Sequence, residues 1–180
     1  MKYMFASDVH GSAYYCRKML DVYKEEKAER LVLLGDLLYH GPRNDLPREY
    51  APKQVISMLN DMKKEIYAVR GNCEAEVDQM VLQFPVMADY CILNLDGRTF
   101  YATHGHIYNE NNLPPIQEGD ILIHGHTHVL KAEQKEGYIL LNPGSVSIPK
   151  EETPPTYAIF EDGVFTIKDF EGNIVKSIEL

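Results

Sequence analysis

The sequence predicts an α/β fold in which two packed β-sheets carry helices on the outside. Three observations lead there. In the first half of the chain, short apolar runs alternate with stretches of helical spacing. In the second half the runs are short throughout, and Asp-Gly, Gly-Asn or a lone Gly separates them. Residues with metal-binding side chains come just after several of the runs, as expected where loops gather outside the carboxyl ends of strands.

The elements come in this order. Lys2–Ser7 reads as a buried strand. Ser12–Lys27 reads as a helix with Ser12 as its N-cap and a charged outer side. Arg30–Leu34 is a short apolar strand stopped by Gly35-Asp36, and a polar, proline-punctuated loop runs from Tyr39 to Pro52. Val55, Ile56, Leu59 and Met62 share one helical face and predict a helix over Val55–Lys63. Ile66–Val69 is a strand ending at Arg70-Gly71-Asn72, and Glu74–Gln83 reads as a short helix closed by Pro85. Cys91–Leu95 and Thr99–Ala102 flank Asp96-Gly97, a strong hairpin signal. The remaining strands are Ile121–Ile123, Lys131–Gln134, Tyr138–Leu141, Tyr157–Phe160, Val164–Ile167 and Ile174–Ile178. No repeat, low-complexity segment or linker interrupts them, so a single domain over residues 1–180 is expected.

Composition narrows the function classes. With 180 residues and 44% hydrophobic content, the chain can bury a real core and is too apolar for disorder. No apolar run approaches a membrane span. Met1-Lys2-Tyr3-Met4-Phe5 leads directly into Asp8 and leaves no room for a removable signal peptide, so a cytoplasmic location is expected. Three cysteines make no disulfide framework: Cys16 reads as helix packing, Cys91 as a core strand residue, and Cys73 falls inside a motif. Net charge is −9, from 27 acidic and 18 basic residues, with no basic track, so no nucleic-acid polymer is expected as a partner. A small phosphorylated substrate remains compatible if metal supplies local positive charge.

Five short pieces carry the chemistry: Asp8-Val9-His10, Gly35-Asp36, Gly71-Asn72, His104-Gly105-His106 and Gly125-His126-Thr127-His128. Their carboxylates, imidazoles and single amide, gathered at one place, suit hard-to-borderline divalent cations. Buried without a partner, the same groups would be costly, which argues against a purely structural reading.

This ordered set resembles the calcineurin-like metallophosphoesterase family, whose pattern is D-x-H, G-D, G-N-H-[DE], a histidine with small neighbours, and G-H-x-H. It is similar in particular to the small bacterial YfcE-type phosphodiesterases, on His40-Gly41-Pro42-Arg43-Asn44, Arg70-Gly71-Asn72-Cys73 and the stretch from Asn142 to Lys150. The resemblance implies a four-layer α-β-β-α sandwich of two mixed sheets flanked by helices. It also implies two divalent cations, with Mn²⁺ favoured and Fe²⁺, Co²⁺ or Zn²⁺ also suited. Asp8, His10, Asp36 and His128 would hold one cation. Asp36, Asn72, His104 and His126 would hold the other, with Asp36 bridging. Asp36, Asn72 and His104 are the expected catalytic residues. The implied activity is hydrolysis of a small phosphodiester by in-line attack of a hydroxide bridging two cations roughly 3.5–4 Å apart.

One departure stands out. The family's G-N-H-[DE] reads Gly71-Asn72-Cys73-Glu74, so the histidine that is a candidate for protonating the leaving group is replaced by Cys73. Leaving-group protonation then falls to water, to His106 or to nothing. His106 reads as a neighbour orienting a ligand histidine, and His124 as a core or surface residue. His40 and Arg43 are candidates for contacting substrate phosphate, against the alternative of a solvated loop. Asn142 to Pro149 is expected to shape the site wall. Other readings are a phosphomonoesterase, a non-catalytic metal-binding scaffold of the same fold, and a structural metal site. Completeness of the ligand set favours the enzyme. A homo-oligomer is expected because the last strand would leave a sheet edge that gains from being covered.

Overall fold

Two mixed β-sheets stack face to face in the computed structural model, which describes residues 1–180. The first sheet begins with three parallel strands, β1 (Tyr3–Ala6), β2 (Arg30–Leu33) and β3 (Ile66–Ala68). Antiparallel β9 (Thr156–Glu161), β10 (Val164–Asp169) and β11 (Ile174–Glu179) extend it beyond β1. The second sheet runs β4 (Tyr90–Leu95), β5 (Arg98–Thr103), β6 (Asp120–Ile123), β8 (Tyr138–Asn142), β7 (Lys131–Gln134). Within it β5, β6 and β8 are parallel.

Alternation along the strands divides the core in two. Met4 and Ala6 of β1, with Leu31 and Leu33 of β2, face the helices. Tyr3, Phe5, Val32 and Leu34 face the second sheet. There Phe5 lies against Phe100 and Phe165, ring centroids 6.0 and 5.9 Å apart, and Phe100 meets Phe160 edge-on at 5.1 Å. These large rings supply much of the apolar area that holds the sheets together.

Helix α1 (Ala13–Glu25) starts where Ser12 Oγ accepts from the Tyr15 N–H at 3.2 Å and donates to Arg48 O at 2.6 Å. Cys16, Met19, Leu20 and Tyr23 form its buried face. Helix α2 (Pro52–Asp61) begins three residues before the apolar periodicity does, because Pro52 fits the first helical turn, where its missing N–H costs nothing. Helix α3 (Glu76–Val81) is tied to α2 by Asn60, which donates to Val81 O and accepts from Gln83 N. Glu74 lies outside α3, its carboxylate engaged by the backbone of Asp36 and Leu37.

The α/β class and the two mixed sheets agree with expectation. Helices α1 and α2 pack on the first sheet, and the outer face of the second sheet is covered by loop. That face carries the segment 107–116: Tyr101 Oη donates to Pro115 O at 3.1 Å, and Tyr108 packs edge-on against Tyr90. Pro114-Pro115 and the Asn109 turn suit that segment to a loop.

Register aligns the strand ends. Ala6 pairs with Leu33 and Leu33 with Ala68, so β1, β2 and β3 end level. Ala102, Ile123 and Leu141 do the same for β5, β6 and β8. All six parallel strands therefore carry their motif loops at their carboxyl ends.

Candidate metal centre

Each strand end delivers its residues through a tight, cross-linked loop. Asp8 N–H donates to Gly35 O, His10 N–H to Asp36 O and Gly11 N–H to Leu37 O, which zips the first two loops together. Gly35 allows the third loop to approach, since a Cβ there would stand 2.5 Å from Gly71 N. Asp8 then joins the two sheets. Its Oδ2 accepts from His126 N–H at 3.1 Å, and its carbonyl accepts from Ser145 Oγ and Ser147 Oγ, both at 3.0 Å. Asn142 holds the glycine-histidine loop from behind by donating to Gly125 O and Thr127 Oγ1.

Strain concentrates here. Asp8, His10, Asp36, His126 and His128 all have φ between 49° and 65°. Non-glycine residues enter this left-handed region at a cost of about 1–3 kcal/mol each, and they stay only where the surroundings over-determine them.

The imidazoles are aimed by backbone carbonyls. His10 Nδ1 lies 2.8 Å from Tyr39 O, His104 Nδ1 2.6 Å from Leu34 O, and His128 Nδ1 2.6 Å from Ile148 O. A carbonyl accepts only, so each Nδ1 carries hydrogen and each neutral ring turns the bare lone pair of Nε2 inward. His126 presents Nδ1 instead, 3.2 Å from His104 Nε2. His10 and His128 bring their Nε2 atoms within 3.3 Å of each other, and Asn72 Oδ1 stands 3.1 Å from His104 Nε2.

Asp36 Oδ2 sits between two groups, 3.7 Å from His10 Nε2 and 3.4 Å from His104 Nε2. Asp8 Oδ1 is 3.2 Å from His128 Nε2 and 3.6 Å from His10 Nε2, yet it is buried with no hydrogen-bond donor. Three compact donor sets emerge, Asp8–His10–His128, Asp36–His104–His126 and, sharing His10 and Asp36 with them, His10–Asp36–Cys73; the first two are built of nitrogen and oxygen donors alone, each able to hold a cation. An orphaned buried carboxylate oxygen facing imidazole lone pairs fits a divalent cation and is poorly explained otherwise.

Protons stand in for cations in the cation-free protein. Burial would depress His104, but Asp36 and Asp8 outweigh it and push its pKa up to about 9. His10 is raised for a similar reason, with Asp8 overcoming burial. Burial would raise Asp8, but His10 and His128 hold it well below the usual carboxylate range. His126 falls to about 4, because burial and the neighbouring charged His104 both oppose a second proton.

Glu74 is a functional residue that periodicity alone assigns to a helix. Its buried carboxylate accepts three backbone N–H groups, from Asp36 at 2.8 Å, Leu37 at 2.7 Å and Gly71 at 2.6 Å. It thereby clamps the Asp36 loop to the Asn72 loop and stays out of α3. Burial and the Asp36 charge push its pKa up to about 7 despite those three donors. Its place as the last letter of the G-N-x-[DE] pattern is the signal that marks it.

The other expected residues divide. Arg43 and Cys73 line a cavity of about 290 Å³ over the donor sets, together with His10, Asp36, Asn72, His126 and His128. Lys150 and Asn44 also line it, although no motif assigns them a role. His40 does not; its ring packs edge-on between Tyr39 and Tyr50 at 4.7 and 5.2 Å. His106 stands beside His104, centroids 5.4 Å apart, but off the cavity wall, and its Nδ1 meets no partner. His124 is buried behind Gly125. Of the other cysteines, Cys16 is buried in the helical face, and Cys91 is half-buried against the core between the sheets.

Comparison with known proteins accords with this geometry. The family model for the calcineurin-like phosphoesterase superfamily domain matches residues 1–162. The chain belongs to the calcineurin-like phosphoesterase superfamily. Phosphodiesterase YfcE of Escherichia coli strain K12 is 45% identical over 167 residues, which span 93% of this chain and 91% of that protein. The solved structure of the E. coli phosphoesterase matches with a TM-score of 0.97 at 42% identity, covering 99% of each chain. Vacuolar protein sorting 29 of Cryptosporidium parvum shares the fold, with a TM-score of 0.66 at 17% identity over 99% of this chain and 98% of its own. Divalent metal use comes with the phosphoesterase family, and the donor sets above are where this member has the groups for it.

The proton on His104 sets the expected pH response of cation binding. A cation must displace it, so raising the pH from 7 toward 9 removes competition and tightens binding. At the Asp36–His104–His126 site the expected gain is about tenfold in affinity per pH unit, flattening above about 9, with release of about one proton as that site fills at neutral pH. Calorimetry in buffers of differing ionisation enthalpy checks this. Affinity that is flat or falls with pH would contradict it.

Proposed function

We propose that this phosphoesterase is a two-metal phosphodiesterase acting on a small phosphodiester. The observation that carries the reading is the sharing of Asp36 between two donor sets, its Oδ2 reaching both His10 and His104. Asp8, His10, Asp36 and His128 would hold one cation, and Asp36, Asn72, His104 and His126 the other. Nitrogen and oxygen donors with no required thiolate suit Mn²⁺, our choice of native ion. When bound, two such cations lower the pKa of water toward neutrality and offset charge on a phosphoryl group.

The chain's own residues do the rest. Tyr39, Leu34 and Ile148 carbonyls fix the tautomer and direction of three imidazoles, so little reorganises during turnover. Glu74 keeps the loops of Asp36 and Asn72 in register. The cavity admits a small polar ester and orients it over the donors.

The position where the family carries its candidate leaving-group acid offers no good acid here. Cys73 occupies the expected place, and burial together with the Asp36 charge raises its thiol well above the usual range. A monoester with an alkyl leaving group needs a proton that position 73 does not readily supply. A diester with an activated aryl leaving group needs little help, so it is the expected substrate type. The alternative reading is a non-catalytic metal-binding scaffold of the same fold, and the complete donor set weighs against it here.

Activity should require added divalent metal, favour aryl diesters over monoesters, and depend steeply on leaving-group pKa. Cys73→His should flatten that dependence, because general acid assistance is typically worth about 10²–10⁴-fold. Rates over a series of aryl esters in both proteins decide this. Equal slopes would remove position 73 from leaving-group protonation, and a wild-type preference for alkyl monoesters would remove the diesterase reading. Separately, β11 is a sheet edge, with Ile174 66% and Val175 38% exposed, and we propose that a second copy covers it. Light scattering at micromolar concentration should report an oligomer; a monomer would end that proposal.

A further inference from the structure

Two cationic side chains flank the donor sets without taking part in them. Arg43 and Lys150 line the cavity, both are exposed, and neither has a carboxylate within ion-pair distance. Other lysines and arginines on this acidic surface also lack ion pairs, and what sets Arg43 and Lys150 apart is their place on the wall of the cavity over the donor sets.

Both are held at the site by its own loops. Tyr39, whose carbonyl orients His10, opens the segment that carries Arg43. That segment is a closed turn, with Asn44 Nδ2 donating to His40 O at 2.8 Å and Asn44 N–H to Gly41 O at 3.3 Å. It leans toward Cys73, since a Cβ on Gly41 would lie 3.5 Å from Cys73 Sγ. Lys150 N–H donates to His128 O at 3.2 Å, which fixes the lysine beside the other donor set. One cationic side chain thus belongs to the Cys73 side and the other to the His128 side.

Charge then constrains the occupant. Two divalent cations carry four positive charges, and Asp8 and Asp36 remove two, so the proposed centre is already positive. A diester monoanion with the attacking hydroxide balances it without Arg43 or Lys150. Two further positive charges on the wall favour an occupant with more negative charge than that. The wall also limits the rest of the occupant. Pro42 is its one apolar residue, and no Phe or Tyr ring lines it on which a nucleobase would stack.

Resting on the phosphodiesterase reading above, we propose that Arg43 and Lys150 recognise a second anionic group on the substrate, separate from the phosphorus attacked. The natural substrate is then a small polar phosphodiester bearing a carboxylate or a second phosphate. Arg43 offers a bidentate fork for such a group and Lys150 a point charge.

The test measures binding and turnover in the manganese-loaded protein. Calorimetry compares propylphosphonate, phosphonopropanoate and propane bisphosphonate, which share one chain length and differ in the far end. Kinetics compare p-nitrophenyl diesters of an uncharged alcohol and of a hydroxy acid. Wild type should favour the anionic far end by about tenfold or more, the scale of one charge-assisted hydrogen bond. The ratio should collapse toward one in the Arg43→Ala/Lys150→Ala double variant and return in Arg43→Lys/Lys150→Arg. The carboxylate and phosphonate arms distinguish the two sources of charge. A wild-type ratio near one, or a ratio unchanged in the double variant, would overturn the proposal, the latter because the preference for a charged far end would then come from other residues. Calorimetry decides this even if no diester is cleaved, so failure of the diesterase reading registers separately.

Discussion

Lone pairs that face one another repel, and this protein turns several of them to one small volume. His10, His104 and His128 each spend their Nδ1 hydrogen on a backbone carbonyl, leaving Nε2 bare toward Asp8, Asp36 and Asn72. Only positive charge relieves that arrangement. Protons supply it in the cation-free protein, which is why His104 rises to about 9. In the working protein the proposed pair of divalent cations takes over that role.

Much of the architecture serves to hold this unfavourable cluster in place. Six parallel strands end level, three in each sheet, so the donors reach the centre from two directions. Asp8 ties the sheets together by accepting from His126, Ser145 and Ser147. Left-handed backbone at Asp8, His10, Asp36, His126 and His128 stores strain that the aromatic core between the sheets must offset. Glu74 adds a buried carboxylate directly behind Asp36, which is tolerated because three backbone N–H groups neutralise it. Glu74, Ser145 and Ser147 act from off the cavity wall, so each supports a donor without touching the cavity.

The sequence is most informative where chemistry and period coincide. Apolar runs that end in Ser7-Asp8, Gly35-Asp36, Gly71-Asn72, Thr103-His104 and Gly125-His126 mark strand ends and donors together, and with His10 and His128 two residues further on, the core strands and all seven proposed ligands are legible. Boundaries blur where local chemistry overrides the pattern. Helix α2 starts at Pro52 because its first turn needs no apolar residue, so periodicity points to Val55. The outer face of the second sheet holds loop 107–116, where the family pattern suggests helix and the residues themselves give no helical period. Glu74 reads as the start of a helix because side-chain capture of distant backbone N–H groups leaves no mark in periodicity. His40 is polar in a polar loop, and only packing against Tyr39 and Tyr50 takes it off the cavity wall. Lys150 closes the Asn142 to Lys150 stretch that carries the resemblance, yet its side chain gets no role from sequence, because only the bond from its N–H to His128 O shows that it stands beside a donor.

The central claim is that one carboxylate serves two cations. Crystals soaked in Mn²⁺ and measured at the manganese absorption edge test it most directly. Two anomalous peaks should flank Asp36 Oδ2, one among Asp8, His10 and His128 and the other among Asn72, His104 and His126, roughly 3.5–4 Å apart. A single peak at full occupancy, or two peaks that do not share Asp36, would contradict it.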